Sequence, residues 1–250
     1  MRWIRKLHKW ASVIVGIQFV LWLASGLYFN LMDHTKAAGL TYFSQDIVPN
    51  QLDATQLIEP KAVLEQHSDS VALDTVFLLA KPYYLLSHQQ GLYAHSYHEY
   101  TLVDAYSGEV VTLDEALVTR LAQASYTGEG KVAALKLLIP PISDFPKQQN
   151  PTWQVSFADD INTEVYVEAQ SGRIVGHSDE HKKLADIFFM LHFMDYFNEG
   201  SFNNVPMMLM AFFSLWLSLT GCYWCIDLLR KGKYRRKRRA RLKATAIKLS

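Results

Sequence analysis

The chain has 250 residues, half of them hydrophobic, and a formal net charge of only +1, which excludes the globally basic composition typical of nucleic-acid-binding proteins. The charges are nevertheless segregated. Residues 1–10 contain four Lys or Arg and no acid, and residues 227–250 contain eleven and one acid, whereas residues 31–205 contain 23 acids and ten bases. Each basic end flanks a long uncharged run, which is typical of a membrane protein.

The first uncharged run predicts a transmembrane helix at residues 10–32, after a basic cytoplasmic segment at residues 1–9. A spanning helix needs roughly 20 mostly apolar residues, so the run is long enough. A cleaved signal peptide is the alternative, because such peptides also begin with basic residues. The apolar stretch is long and no A-x-A cleavage motif follows it promptly, so we favour an uncleaved anchor.

Between the two uncharged runs, hydrophobic periodicity predicts two helices and several strands. The first helix is predicted at residues 53–67, where Pro60 weakens its middle. The second is predicted at residues 113–126, where apolar residues share one face. The stretch PPISDFPKQQNP is interpreted as a loop. Further strands are predicted at residues 76–86, 92–97, 132–138 and 153–157.

The same region contains an internal repeat. The stretches EYTLVDAYSGEVV (residues 99–111) and TEVYVEAQSGRIV (residues 163–175) align at a constant offset of 64, which places Asp104 opposite Glu168. Each copy predicts a strand, a Ser-Gly turn and a short returning strand. The predicted fold class is therefore an α+β block of two helix-plus-antiparallel-sheet repeats, at residues 33–112 and 113–177, anchored by two transmembrane helices.

Residues 178–199 predict an amphipathic membrane-proximal helix that lies along the outer membrane surface or against the sheet, with Ser178 as its N-cap. His192 and Asp195 are three residues apart and would be neighbours on this helix. One interpretation is a cofactor ligand oriented by its carboxylate. The other is a buried ion pair that holds the helix to its sheet, and the sequence leaves both open.

The second uncharged run predicts a transmembrane helix at residues 205–228, with Pro206 in its first turn, where a missing N–H costs little. A basic tail follows at residues 229–250. Beside a spanning helix, such a tail is better interpreted as an anchor on anionic lipid headgroups than as a nucleic-acid site. Because Lys and Arg mark cytoplasmic flanks, both termini are predicted to be cytoplasmic.

The two cysteines, Cys222 and Cys225, both lie in the second run, so the region between the spans contains no disulfide. Two thiols alone make half a zinc site. Small residues that share a helix face allow spans to approach closely, and helix packing is therefore the predicted role of these positions. The predicted packing residues are Ser12, Gly16, Ser214, Ser218, Gly221, Cys222 and Cys225.

The remaining histidines do not form a recognisable metal site. His95 and His98 would point to opposite faces of a strand, and His88 precedes both in the sequence. His177 and His181 straddle a predicted helix start, and we regard them as equally doubtful ligands. The sequence also shows no nucleophilic triad, phosphate-binding glycine loop or paired catalytic acids, so catalysis by the chain alone is not expected.

A helix followed by a hairpin that ends in an acid-x-x-Ser-Gly turn resembles the PepSY domain. The stretches RKLHKW before the first span, LHF before the second and SLTGCYW late in the second resemble the PepSY-associated transmembrane proteins of bacteria. The resemblance implies a bacterial inner-membrane protein with residues 33–204 in the periplasm. Larger, four-span relatives are linked to ferric-siderophore reduction and bind haem through intramembrane histidines, and soluble relatives have been proposed to restrain peptidases.

His8 and His192 match the two histidine positions of this family, where haem b is the implied cofactor. His8 is predicted at the cytoplasmic end of the first span and His192 on the outer side of the second. Their levels differ by most of a hydrocarbon core of about 30 Å, so one haem cannot use both within one protomer. The alternative for His8 is a headgroup-level position beside Trp3 and Trp10 in an aromatic belt.

Three functions follow as alternatives. The first is an accessory component of membrane electron transfer or iron/siderophore uptake, with His192 and His8 as haem ligands and Asp195 beside His192. The second is a membrane-anchored binding module that interacts with or restrains a periplasmic protein such as a peptidase. The third is a small subunit of a larger membrane complex. The expected partners are membrane lipid and another membrane protein or a second copy, and no nucleic acid.

Overall fold

The computed structural model describes residues 2–44 and 54–231. The helices of these residues, in chain order, are α1 (Arg2–Leu31), α2 (His34–Ala37), α3 (Pro60–Gln66), α4 (Glu115–Ser125), α5 (Glu180–Phe193) and α6 (Val205–Arg230). The strands are β1 (Ala72–Leu78), β2 (Lys81–Gln89), β3 (Glu99–Asp104), β4 (Val110–Val111), β5 (Lys131–Leu138), β6 (Thr152–Ala158), β7 (Glu164–Glu168) and β8 (Ile174–Ser178).

The strands form two antiparallel sheets of the same design. Each is a four-stranded meander, β1-β2-β3-β4 in the first sheet and β5-β6-β7-β8 in the second, and each is preceded by a helix. The strand, turn and returning strand that the sequence repeat predicts are β3–β4 in one sheet and β7–β8 in the other. The α+β class and the antiparallel pairing of both hairpins are therefore confirmed.

The two hairpin turns have the same backbone conformation. The amide of Gly108 donates to the carbonyl of Asp104 at 2.8 Å, and the amide of Gly172 donates to the carbonyl of Glu168 at 3.0 Å. The two glycines have φ angles of 74° and 72°. A side chain at such an angle is strained, which explains why glycine occupies the same position in both copies.

The core is continuous between the two sheets. Helix α4 covers the inner face of the second sheet, and side chains from the first sheet join the same core cluster. The cluster includes Leu78, Tyr83 and Leu102 of the first sheet, Leu117, Val118 and Leu121 of α4, and Val155, Phe157, Val165 and Val167 of the second sheet. The opposite face of the first sheet packs against α3 through a smaller cluster of Val63, Tyr84, Leu86, Val103 and Ala105. This alternation of faces along the strands is what period-two patterning predicts.

Helices α1 and α6 are long and apolar enough to cross a membrane. Few of their side chains are covered by the rest of the chain, and large apolar residues such as Leu27 and Phe212 are more than 60 % exposed. A helix that served as the core of a water-soluble fold would have these side chains buried. The predicted spans at residues 10–32 and 205–228 thus fall on candidate membrane-spanning helices.

Three local predictions are wrong for identifiable reasons. Residues 76–86 form two strands, because Leu79 and Ala80, both with positive φ, make a tight hairpin turn without the usual Gly or Asn. Residues 92–97 form a loop. Pro60 begins helix α3 instead of weakening a longer helix, with Glu59 at its N-cap. Residue 53 of that predicted helix, and all but the start of the 229–250 tail, lie outside the described residues.

Replacing Gly172 by Ala is expected to destabilise the domain by about 1–3 kcal/mol. The added Cβ would adopt an unfavourable φ and lie 2.9 Å from Leu78 Cδ1 and 3.1 Å from Leu113 Cδ2 in the core. Thermal unfolding of the full chain in detergent, followed by near-ultraviolet circular dichroism, measures the change. Gly16→Ala is the control, since nothing lies within 4 Å of its Cβ. Equal stability of the two variants would contradict the prediction.

Candidate functional site

Helix α5 connects the second sheet to the C-terminal half of α1. At its start, the Lys183 ammonium lies 2.9 Å from the Glu164 carboxylate of β7. Further along, Phe188 stacks on Tyr28 with ring centroids 3.9 Å apart. The predicted helix therefore exists, but it contacts the sheet at its start and runs along α1 afterwards. Its N-cap is Asp179, whose carboxylate accepts the Lys182 amide, and not Ser178 as the sequence predicted.

Side chains from α1 and from the N-cap of α6 satisfy the carbonyls at the end of α5. The last three carbonyls of the helix, in order, accept hydrogen bonds from Gln18 Nε2 at 3.2 Å, Trp22 Nε1 at 2.6 Å and Asn204 Nδ2 at 2.8 Å. A helix end has no intrahelical partners for these groups, and in an apolar environment each unpaired carbonyl is costly. Sequence reasoning missed these three residues, although a Gln within an uncharged run is a usable signal.

The imidazole of His192 is held at one nitrogen. Its Nδ1 lies 2.8 Å from Ser25 Oγ, and the same Oγ lies 2.7 Å from the Leu21 carbonyl. Because the serine proton is directed to that carbonyl, Ser25 Oγ acts as the acceptor and His192 Nδ1 as the donor. Nε2 then carries the lone pair, and it has no hydrogen-bond partner within residues 2–44 and 54–231.

His8 is held by an equivalent arrangement at the other end of α1. Its Nδ1 lies 3.1 Å from Thr220 Oγ1, which donates to the Trp216 carbonyl at 2.8 Å. The ring also packs against the indole of Trp224, with centroids 4.6 Å apart. Its Nε2 likewise has no partner in the part of the chain that the structure describes. The aromatic neighbours of His8 are thus on α6 and are not Trp3 and Trp10.

The two histidines occupy different levels of the helix pair. His8 and Ser25, the residue that holds His192, are 17 positions apart on α1. At 1.5 Å per residue this corresponds to about 26 Å along the helix axis. The two imidazoles therefore cannot coordinate one metal centre in a single protomer, as the topology predicted.

Asp195 does not contact His192, and the predicted pairing is wrong. Helix α5 ends at Phe193 because Met194 adopts a left-handed conformation with φ of 54°, so the three-residue helical spacing no longer applies. The Asp195 carboxylate instead accepts the backbone amides of Glu199 at 2.9 Å and Gly200 at 2.8 Å. Its role is to order the short segment between α5 and α6.

The predicted small-residue contact between the two spans is also wrong within one chain. The contact is made by the His8 ring, Trp216, Thr220 and Trp224. Aromatic rings therefore occupy this interface. Of the predicted positions, Ser214 and Gly221 are half-buried, whereas five are exposed: Ser12, Gly16, Ser218, Cys222 and Cys225.

The histidines of the α+β block between α1 and α5 have separate partners. His88 Nδ1 lies 3.0 Å from an Asp69 oxygen, and His177 Nε2 lies 3.0 Å from Ser125 Oγ. The ring of His95 stacks on a tyrosine. Within residues 2–44 and 54–231, no group of three His, Cys, Asp or Glu side chains is placed to hold a metal ion.

Fold and site together define an α+β protein with two helices that are long and apolar enough to cross a membrane. One histidine is bonded near each end of α1: His8 to Thr220 and His192 to Ser25. Comparison with known proteins gives no closer assignment, since no protein-family model, curated protein or solved structure matches the chain.

Proposed function

We propose that the chain is a PepSY-type protein of the bacterial inner membrane, with both termini cytoplasmic and residues 33–204 periplasmic. The basic segments outside both candidate spans support this orientation, because Lys and Arg are retained on the cytoplasmic side. Two helix-plus-meander units with an acid-x-x-Ser-Gly turn in each support the resemblance to PepSY domains.

We infer that the chain is an accessory, non-catalytic component of membrane electron transfer or iron/siderophore uptake, which binds haem b through His192 and His8. The observation that carries this proposal is the shared arrangement of the two imidazoles. Each is hydrogen-bonded at Nδ1 by a hydroxyl, which fixes ring and tautomer and leaves Nε2 available for iron. Haem would supply the one-electron chemistry, and the chain would supply ligands and an apolar surrounding.

Each histidine offers one axial ligand, so a bis-histidine site needs a second histidine from another chain, and the alternative is a second ligand of another type. The distance along α1 excludes a site shared by His8 and His192 in one protomer. A second copy or another membrane protein would therefore complete the coordination. The proposal consequently predicts that haem content and oligomeric state change together.

The protein purified in detergent from haem-replete cells is expected to show a Soret band that falls by at least about half in His192→Ala. Ser25→Ala should reduce haem affinity by about 10-fold or more, because losing the hydrogen bond that orients a ligating histidine commonly has an effect of that size. His8→Ala tests the other ligand, and exposed His34→Ala is the matched control. A wild-type protein that stays colourless after reconstitution with haem would contradict haem binding by the isolated chain.

A membrane-anchored binding module without cofactor is the second candidate, and an exposed loop between β2 and β3 favours it. Leu92 is 83 % exposed, Tyr93 60 % and Tyr97 45 %. Aromatic side chains of this kind are enriched at protein interfaces. This module would interact with or restrain a periplasmic protein such as a peptidase. A colourless protein whose Tyr93 position crosslinks to one periplasmic partner would support this function over the first.

A subunit of a larger membrane complex is the third candidate. Ser218, Cys222 and Cys225 are exposed on α6, so this small-residue face is available to a span of another protein. Cysteine crosslinking in isolated membranes distinguishes a second copy from a different protein at this face.

A further inference from the structure

Two adjoining clefts lie where the extramembrane domain meets the outer end of α6. One has a volume of about 260 Å³ and the other about 440 Å³, and they share Asp144, Pro146 and Gly200. Gly200 precedes by four residues Asn204, the N-cap of the spanning helix. Together the clefts have the size of a small-molecule site. Neither His8 nor His192 lines them, although Phe193 of the smaller cleft packs against the His192 ring.

The smaller cleft, named here the aromatic cleft, has a largely aromatic wall formed by Phe189, Met190 and Phe193 of α5 and by Phe202 of the following segment. Carboxylates also line it, but Asp186 pairs with Lys182, and Asp195 accepts two backbone amides. Phe193 and Phe202 have ring centroids 4.5 Å apart, and Phe202 is 65 % exposed. An open aromatic wall is unfavourable in water, but it is well suited to an acyl chain at the membrane surface.

The larger cleft, named here the cationic cleft, collects basic side chains. Lys147, Arg173 and Lys182 line it together with His95. These are three of only ten Lys or Arg residues between positions 31 and 205, a region that also holds 23 acids. This concentration marks the cleft as the part of an acidic domain that is suited to an anion.

The cationic cleft retains unused hydrogen-bond donors. Arg173 pairs with Glu168 and Lys182 with Asp186, at 3.0 Å and 2.6 Å. The contacts of Arg173 all run through Nη2, so its Nε and Nη1 protons have no partner among the described residues. Lys147 has no carboxylate partner in that part of the chain either. A guanidinium edge and a free ammonium together match a phosphate.

We propose that the paired clefts bind one anionic phospholipid of the outer leaflet, with its phosphate against Lys147 and Arg173 and an acyl chain along the aromatic wall. The position at the start of α6 supplies this ligand from the surrounding bilayer at high local concentration. The Asp144 carboxylate, which accepts a hydrogen bond from Tyr166 at 3.2 Å, lies between the two clefts and can accept from a headgroup hydroxyl.

The test uses the full chain in a neutral detergent, with the thermal midpoint of the domain measured during titration with phosphatidylglycerol. The midpoint is expected to rise, and Lys147→Glu should raise the half-saturating lipid concentration by about tenfold or more. Lys136→Glu is the matched control, because Lys136 is an exposed lysine on β5 and lines neither cleft. Lys147→Gln serves as a milder variant with an intermediate effect.

Three outcomes overturn the proposal. An unchanged titration in Lys147→Glu, or an equal change in Lys136→Glu, would remove the cationic cleft as the site. An equal response to phosphatidylcholine would show that the anion is not recognised. The same stabilisation by inorganic phosphate alone would assign the cleft to a free anion and exclude the lipid.

Discussion

Arg173→Leu is expected to destabilise the extramembrane domain by about 2–4 kcal/mol, the largest effect that we predict for a single substitution in this protein. Glu168 is only 1 % exposed, and Arg173 Nη2 lies 3.0 Å from its Oε1. Without the guanidinium, a buried carboxylate would lose its one positively charged partner. Gln148 Nε2, at 2.8 Å, and the Ser171 hydroxyl still donate to it, which keeps the expected loss below the upper limit for such pairs.

Urea unfolding of the full chain in detergent, read from hydrogen exchange of the β6–β8 amides, measures this loss. Exposed Arg120→Leu on α4 removes the same charge and is expected to change the free energy of unfolding by less than about 0.5 kcal/mol. Adding Glu168→Gln to Arg173→Leu should recover most of the loss, because the neutral amide needs no counter-charge. Failure of the second substitution to recover stability would show that packing, not charge, determines the effect.

The Lys81–Asp104 pair in the first repeat is expected to contribute less to the free energy of unfolding than the Arg173–Glu168 pair. Lys81 contacts Asp104, but 45 % of the lysine side chain is exposed, so water screens the attraction. Burial raises the pKa of the Asp104 carboxyl, yet the Lys81 ammonium and the amides of Tyr106 and Ser107 outweigh it and leave the pKa below its usual value. The acids of the two similar turns thus form ion pairs of different strength.

What the sequence predicted well is local or periodic. The repeated turn was predictable because a left-handed position selects glycine, and both copies contain Ser-Gly after an acid. The two long apolar helices were predictable because each uncharged run is long enough to cross a bilayer. Alternating apolar residues likewise indicated the strands that pack against α4, because a strand buried on one face has apolar side chains at every second residue.

What the sequence did not predict depends on backbone turns without glycine and on tertiary contacts. Leu79, Ala80 and Met194 adopt positive φ although none is a residue type that favours it. The turn at Met194 separates Asp195 from His192, which no periodicity analysis reveals. The hydroxyls that orient the two histidines lie on other helices, 167 and 212 positions away. Such contacts exist only after the helices have packed.

Acidification from pH 7 to pH 5 is expected to destabilise the domain by about 2 kcal/mol through His177 alone. The residue is 1 % exposed, and Nδ1 of its ring is buried without a hydrogen-bond partner in the described part of the chain. Burial lowers the pKa of His177 from 6.5 to about 4, although the Asp179 charge opposes the shift. The ring packs edge-on against Phe43, with centroids 5.1 Å apart, so the site has little room for solvent.

The sign of this pH dependence follows from which state, folded or unfolded, binds the proton. Between pH 6.5 and about 4 the unfolded chain protonates this histidine and the folded chain does not, so a fall in pH lowers the free energy of the unfolded state relative to the folded state. His177→Gln removes the titrating group and can still pair with Ser125. The free energy of unfolding of this variant should therefore vary less between pH 7 and pH 5 than that of the wild type, by about 2 kcal/mol.

Urea unfolding at the two pH values, for wild type, His177→Gln and the exposed-histidine control His34→Gln, isolates this contribution. All other titrating groups are common to the three proteins, so their pH dependence cancels in the comparison. An identical pH dependence in His177→Gln and wild type would mean that the folded domain accommodates the imidazolium, which would require water or a carboxylate to reach Nδ1. The absolute stability of the variant does not enter, because only the difference between the two pH values is compared.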